Sequence, residues 1–309
     1  MSILLVSPGP VPDPPAPSPF ADMDFTWTGW DGSSFQLTGR GRTQAIHLQA
    51  GVRGLTFPPA EEHTTSSPAR RGQRFRSHRE LARDVTWPLW VWEDSGSTEW
   101  LKFDAAFRRT LRRDRPGMWT VTHPFTGEHR SLMLRLGDDG DPSWDTTPGK
   151  RAWKDYQLRM IADDPMWAGA PITSPLWGAT PGVNFTGPSD SAPDFYISAP
   201  TTTGEVDMAN PGDVPVWPTW TVTGRGAATS AVLTVNGMEI GTPTLTNGQV
   251  LTINTDKATA RLDGARAGNL LSPREFEPIP DGESVTVGVN ITGDGTVQCS
   301  IIPLYNAAW

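Results

Sequence analysis

Five histidines, at 47, 63, 78, 123 and 129, are the first residues to test for chemistry, and their spacing joins no two of them in a known catalytic pattern. The chain contains no Gly-x-Ser-x-Gly nucleophile turn, no His-Glu-x-x-His zinc helix, no phosphate-binding loop and no dinucleotide fingerprint. His123, Glu128 and His129 fall at the two ends of one expected hairpin loop, HPFTGEHR, so a metal site there is geometrically conceivable. A solvated turn explains the same residues more simply. Asp138, Asp139, Asp141 and Asp145 match a calcium loop in charge, but its glycine and distal glutamate are misplaced. Paired carboxylates for sugar hydrolysis cannot be picked out of 34 acids by spacing. No catalytic residue, metal ligand or cofactor site is therefore assigned, and the chain is expected not to be an enzyme.

Arginine and tryptophan carry the remaining signal. Residues 70–83, RRGQRFRSHRELAR, hold six arginines around Phe75, and Arg108, Arg109, Arg112 and Arg113 follow on an expected helix. Basic residues with an interleaved aromatic can contact nucleic acid. The net charge of −8 and pI near 5.1 oppose a surface that grips phosphate throughout. The planar guanidinium fork also suits carboxylates on a protein partner, which is the reading preferred here. The four helix arginines are accordingly the expected inter-subunit or lumen-facing surface. Fourteen tryptophans suit cores and protein contacts equally. Tyr196, Trp217 and Trp220 form a second candidate set, for stacking on sugar rings, unless their alternation turns them into the core.

The elements that must position these residues are mostly strands. Gly (31) and Pro (30) divide the chain into short segments, which favours turns and strands over long helices. Residues 8–19, PGPVPDPPAPSP, cannot pair as a central strand and are expected to form an extended polyproline-like arm. Either a surface arm without a role or docking onto a neighbouring subunit fits that composition. The apolar start Ile3–Val6 is too short, and lacks the basic flank, for a signal peptide or a membrane span. With Cys299 alone, no intramolecular disulfide can form.

Strands are expected around Phe25 and Trp27, at Phe35–Thr38 and Ala45–Gln49, and over 84–92, where Pro88 suggests an edge or a bulge. A helix from about Thr98 to Arg113, capped by Ser97 or Thr98, has Trp100, Phe103, Phe107 and Leu111 at helical spacing. Trp119–His123, Ser131–Leu136 and Ala152–Ile161 are further strands, and Asp163-Asp164-Pro165 marks the expected domain boundary. Beyond it, short alternating runs at Asp194–Ser198, Trp217–Thr223, Ala231–Val235, Gln249–Asn254, Ala258–Leu262, Ser284–Asn290 and Thr296–Pro303 are separated by Asn-Gly and Asp-Gly pairs. Those pairs are the strongest local hairpin signal, and the regular spacing suggests an antiparallel sandwich.

Four segments in order resemble the distal tail proteins and related minor tail proteins of long-tailed bacteriophages. RRGQRFRSHRELARDVTWPLWV (70–91) resembles an arginine-rich approach to the first hub strand, and LRRDRPGMWTVTHPFTGEHRSLMLRL (111–136) a Gly turn, strand, Pro-x-x-Gly hairpin and second strand. YQLRMIADDPMWAG (156–169) and NPGDVPVWPTWTVTG (210–224) complete the series, and TVQCSIIPLYNAAW (296–309) ends in Trp as many relatives do. The first 69 residues match poorly. The resemblance implies a mainly β fold in three parts: a proline-rich arm at 1–20, a ring-forming tail hub of sheet plus one helix at 21–165, and a galectin-like peripheral β-sandwich at 166–309. It also implies a homo-hexameric ring at the tail tip of the virion. The partners it implies are the tail tube protein, the tape-measure protein and a tail-associated fibre or baseplate protein. Host cell-wall polysaccharide is the partner of the alternative reading, a carbohydrate-binding module for attachment, and no membrane is expected.

Overall fold

The computed structural model describes residues 23–38, 46–69, 71–93, 95–140, 152–178, 202–226 and 228–309. The proline-rich arm, Arg70, Asp141, Asp145, Tyr196 and the expected strand at Asp194–Ser198 lie outside the described residues. The chain divides into two compact units, Met1–Pro165 with Trp309, and Met166–Ala308. The fold is mainly β, with a β-sandwich region and one α-helix among the described residues.

The first unit contains β1 (Asp24–Thr28), β2 (Ser34–Gln36), β3 (Ile46–Leu48), β4 (Ala60–Ser66), β5 (Gln73–Glu80), β6 (Arg83–Trp92), α1 (Ser97–Thr110), β7 (Gly117–Thr122), β8 (His129–Asp138) and β9 (Trp153–Ala162). Its sheet runs in the order β2-β1-β7-β8-β9-β6-β3, with β4 and β5 forming a separate pair. Each long strand alternates: Val85, Trp87, Leu89 and Val91 of β6 are buried, as are Trp119 and Val121 of β7 and Tyr156, Leu158 and Met160 of β9. The period of two puts all of them on one face. That face is built on tryptophan, with Trp87 edge-on to both Trp27 and Trp119 at 5.2 and 5.3 Å between centroids. Leu37 bonds both ways: its amide donates to the Phe25 carbonyl and its carbonyl accepts from Leu48. The two margins of the sheet are thereby drawn together, and the sheet curls.

The helix covers the core face. Trp100 and Phe107 are fully buried, Phe107 packs edge-on against Phe35, and Trp100 Nε1 donates to the Val91 carbonyl. Gly96 is the N-cap, with no side-chain cap bond, so neither Ser97 nor Thr98 caps the helix as the sequence suggests. The helix also ends at Thr110, which leaves Arg112 and Arg113 in the following loop. Gly117 is required where β7 passes Trp27, since a Cβ there would sit 2.4 Å from the indole ring. Pro88, expected at an edge or a bulge, lies in an interior strand between β9 and β3. Its carbonyl accepts from Gln49, and the missing amide removes one donor from the ladder.

The second unit contains β10 (Trp167–Ala168), β11 (Ile172–Thr173), β12 (Trp177–Gly178), β13 (Thr202–Ala209), β14 (Thr219–Thr223), β15 (Ser230–Val235), β16 (Met238–Gly241), β17 (Val250–Asn254), β18 (Thr259–Leu262), β19 (Ala265–Arg266), β20 (Ser284–Thr292), β21 (Thr296–Ile301) and β22 (Leu304–Tyr305). One sheet has the order β11-β21-β14-β17-β18-β19, with β12 also on β21, and the other β13-β20-β15-β16. A single core holds their inner faces, with Trp220, Val222 and Ile253 from one and Leu233, Val287 and Ile291 from the other. Asn236-Gly237 turns β15 into β16 with φ of 49° and 83°, the positive pair that a two-residue primed turn requires. Asn210, 1% exposed, locks the approach to β14, donating to three carbonyls and accepting from Gly212.

Candidate functional site

No group of three His, Cys, Asp or Glu converges on a point among the described residues. His123 instead organises its own turn, where its Nδ1 accepts the Thr126 amide and its backbone amide donates to Glu128. Cys299 is buried in the sandwich, and burial pushes its thiol up to about 12. Asp163 pairs with Arg135 at 2.9 Å, and that hydrogen bond holds its carboxyl below the usual range. Surfaces, rather than pockets of reactive groups, are what the first unit offers.

The most unusual of them is the β4–β5 hairpin, in which every residue of both strands is exposed. Its base is closed by the Leu81 amide donating to the Pro59 carbonyl at 2.8 Å. Glu61 faces Arg79, Glu62 faces His78, Thr64 faces Phe75 and Thr65 faces Arg74, with a bulge after His63. Because partners share a face, the ribbon is two-sided. One side carries Arg74 and Arg79, and Arg76 at the bulge donates to Thr65 on that side. The other carries Phe75, 55% exposed, with its ring 6.0 Å from His78, which in turn bonds Glu80. A two-stranded ribbon that buries nothing is marginal alone in water.

Sequence reasoning found the arginines here but not the hairpin, since AEEHTTS has no apolar alternation to mark a strand. Arg83 was grouped with them and is corrected. It is 1% exposed and donates to the carbonyls of Pro165, Gly54 and Thr56, so it pins loops inside the unit. Burial lowers its guanidinium to about 10.

The second surface is the end of α1. Arg108 pairs with Asp104 at 3.2 Å, and Asp104 accepts the Tyr156 hydroxyl at 2.6 Å. Burial raises the Asp104 carboxyl against the opposing pull of Tyr156 and Arg108. It raises the Tyr156 hydroxyl further, helped by the Asp104 bond. Arg112 grips Asp114 with two nitrogens, and Arg115 lies 4.6 Å over the ring of Trp30, whose Nε1 donates to the Arg109 carbonyl. Arg108 and Arg112 are thus engaged within the unit, while the side chains of Arg109 and Arg113 make no hydrogen bond or ion pair among the described residues. A cleft of about 380 Å³ opens beside Arg108, lined also by Phe107, Leu111, Leu136, Asp139 and Tyr156.

Charge is unevenly placed. Residues 166–309 hold 13 acids and 5 cations, a difference that accounts for the whole net charge of −8, while residues 1–165 hold 21 of each.

The sugar-stacking set does not assemble. Trp220 has no exposed surface and stacks on Trp177 in the sandwich core, so neither of its faces can meet a ring, and it is removed from the set. Trp217 is 37% exposed, and Tyr196 is outside the described residues.

Comparison with solved structures bears on the whole arrangement. The Dit protein of phage SPP1, described as a hub of the adsorption apparatus in phages infecting Gram-positive bacteria, superposes with a TM-score of 0.58 over 91% of this chain and 98% of its own, at 12% identity. The chain shares the Dit fold. The phage P2 baseplate in its activated conformation gives TM-scores of 0.50 in its calcium and strontium forms, at 9% identity, covering 87% and 90% of this chain and 98% and 97% of those chains. No protein-family model and no curated protein matches the sequence. The Dit likeness therefore rests on three-dimensional form, and it extends over nearly the full length of both chains.

Proposed function

We propose that the chain is a distal tail protein, a non-enzymatic subunit that forms a hexameric hub ring at the tip of a long-tailed phage. In this reading it joins the tail tube to baseplate or fibre proteins, with the tape-measure protein on the tube side. The observation that carries the proposal is the wholly exposed β4–β5 hairpin of a chain with the Dit fold. A ribbon with no buried residue and an exposed Phe75 gains stability only by lying on another surface. A second copy of the same chain supplies that surface once per subunit, and repetition of a head-to-tail contact closes a ring. Arg109 and Arg113, whose side chains have no hydrogen-bond or ion-pair partner among the described residues, supply register by meeting carboxylates of the neighbour. The functional residues are then interface residues, and no bond is made or broken.

Light scattering and negative-stain microscopy of the purified protein test this. The expected image is a six-fold ring, single or stacked. Because Pro59 and Leu81 are already hydrogen-bonded, residues 60–80 can be replaced by an Asn-Gly turn without stretching the chain. That variant is expected to remain folded and monomeric. Rings that persist without the hairpin, or a full-length chain that stays monomeric at high concentration, would refute the proposal.

A further inference from the structure

The turn between β7 and β8 carries a side chain that the β4–β5 contact leaves unused. Phe125 stands at its tip, 86% exposed. The turn beneath it is fixed by the Gly127 amide donating to the His123 carbonyl, the His123 amide to the Glu128 carbonyl, and the Thr126 amide to His123 Nδ1. The His123 ring lies edge-on to Phe125 at 5.8 Å. A large apolar side chain held out on a rigid support has little freedom left to lose on burial, which is how an anchor residue of a protein contact is built.

The same unit carries an apolar cleft of about 380 Å³ between α1 and strands β8 and β9, lined by Phe107, Leu111, Leu136 and Leu158. Ala105 and Arg108 border it from the helix, one turn apart and therefore on one side of it. Ala105 is small and exposed, which leaves the mouth open. Arg108 gives its Nε to Asp104, while its side chain stays 54% exposed, with donors to spare on the terminal nitrogens.

Phe125 cannot reach the cleft of its own chain. The turn ends at His129, and the cleft touches β8 at Leu136, about 23 Å further along the strand at roughly 3.3 Å per residue. A second copy brings the two together, and their charges agree. Glu128, exposed in the same turn as Phe125, is a carboxylate for the Arg108 guanidinium, whose cation also suits the face of an aromatic ring. Because knob and cleft are different surfaces of one unit, the contact is head-to-tail and repeats from copy to copy.

We infer that Phe125 of each copy inserts into the cleft of the next, against Phe107, Leu111, Leu136 and Leu158, with Glu128 pairing with Arg108. The inference rests on the reading that copies of this chain associate, and it adds to the β4–β5 contact a second one that can be broken without touching that ribbon.

The test uses the full chain with p-benzoylphenylalanine in place of Phe125, irradiated as a mixture of heavy-isotope-labelled and unlabelled chains. The expected result is covalently joined chains whose cross-link maps to residues 105–111, 136 or 156–158, in peptides that combine both isotopes. Ala105→Trp, which closes the mouth at an exposed position, is expected to abolish that cross-link while the circular dichroism and melting of the subunit stay unchanged. Phe125→Ala is expected to weaken association by about tenfold or more in sedimentation velocity. Rings whose cross-links map elsewhere, or that assemble equally well with Phe125→Ala, would overturn the inference and leave the ring reading in place. A cross-link confined to single chains would overturn it too. A chain that stays monomeric at high concentration removes the ring reading, and this contact with it.

Discussion

Two tryptophans of the first core make different uses of the same indole. Trp27 Nε1 donates to Thr110 Oγ1 at 2.9 Å, whereas Trp87 Nε1 is buried with no partner among the described residues. Changing either to Phe leaves a small cavity. At Trp87 it also removes an unsatisfied donor, whose burial costs about 1–3 kcal/mol. Trp27→Phe is therefore expected to lower unfolding free energy by about 1–2 kcal/mol more than Trp87→Phe, measured by denaturant titration on the same background. Asp104 gives a pH signature. Its folded carboxyl titrates above its unfolded value, so the native state binds the extra proton, and its contribution to stability declines as pH rises from the unfolded to the folded value. Asp104→Asn is expected to remove that decline, flattening the dependence of melting temperature on pH in this window. An unchanged slope would mean that burial is not what governs this carboxyl.

Among elements, those with strong local signals were legible. Asn236-Gly237 specified its turn outright, and the alternation of Val85, Trp87, Leu89 and Val91 specified β6. Gly237→Ala, at φ 83°, is expected to cost about 1 kcal/mol through backbone strain alone, readable in the same titrations. The β4–β5 hairpin was illegible for a physical reason. Periodicity reports burial, and a ribbon that buries nothing within its own chain leaves no period to read. The same reason misplaced Arg83: six arginines in fourteen residues look alike in sequence, and only the loops at 54–56 and 165 distinguish the buried one. The Thr98–Arg113 helix was drawn too long because Leu111 continues the apolar stripe while its backbone is already extended, at φ −90° and ψ 106°. Trp220 sat in an alternating run with Val222, which was the available sign that it belonged to the core.

At the scale of the molecule, charge separates along the chain as sharply as fold does. In the proposed ring, a subunit with an acidic second half and arginine surfaces in its first would assemble partly through Coulombic attraction, which salt screens over about 8–10 Å at physiological strength. Ring formation is expected to weaken as ionic strength rises and to be weakened similarly by Arg109→Glu with Arg113→Glu, while thermal melting of the single subunit stays within a few degrees. Sedimentation velocity across a salt series reads both. A salt-independent equilibrium would assign the contact to apolar burial alone. In the proposed ring the hairpin would also serve as a timer. Arg71, Arg74, Arg76 and Arg79 lie on it or beside its turn, all exposed, and each precedes a bond that trypsin cuts. In that assembly a chain joined to its neighbour would keep this ribbon out of the protease's reach and a solitary one would be clipped there first, so the ratio of nicked to intact protein would count how many copies were still waiting.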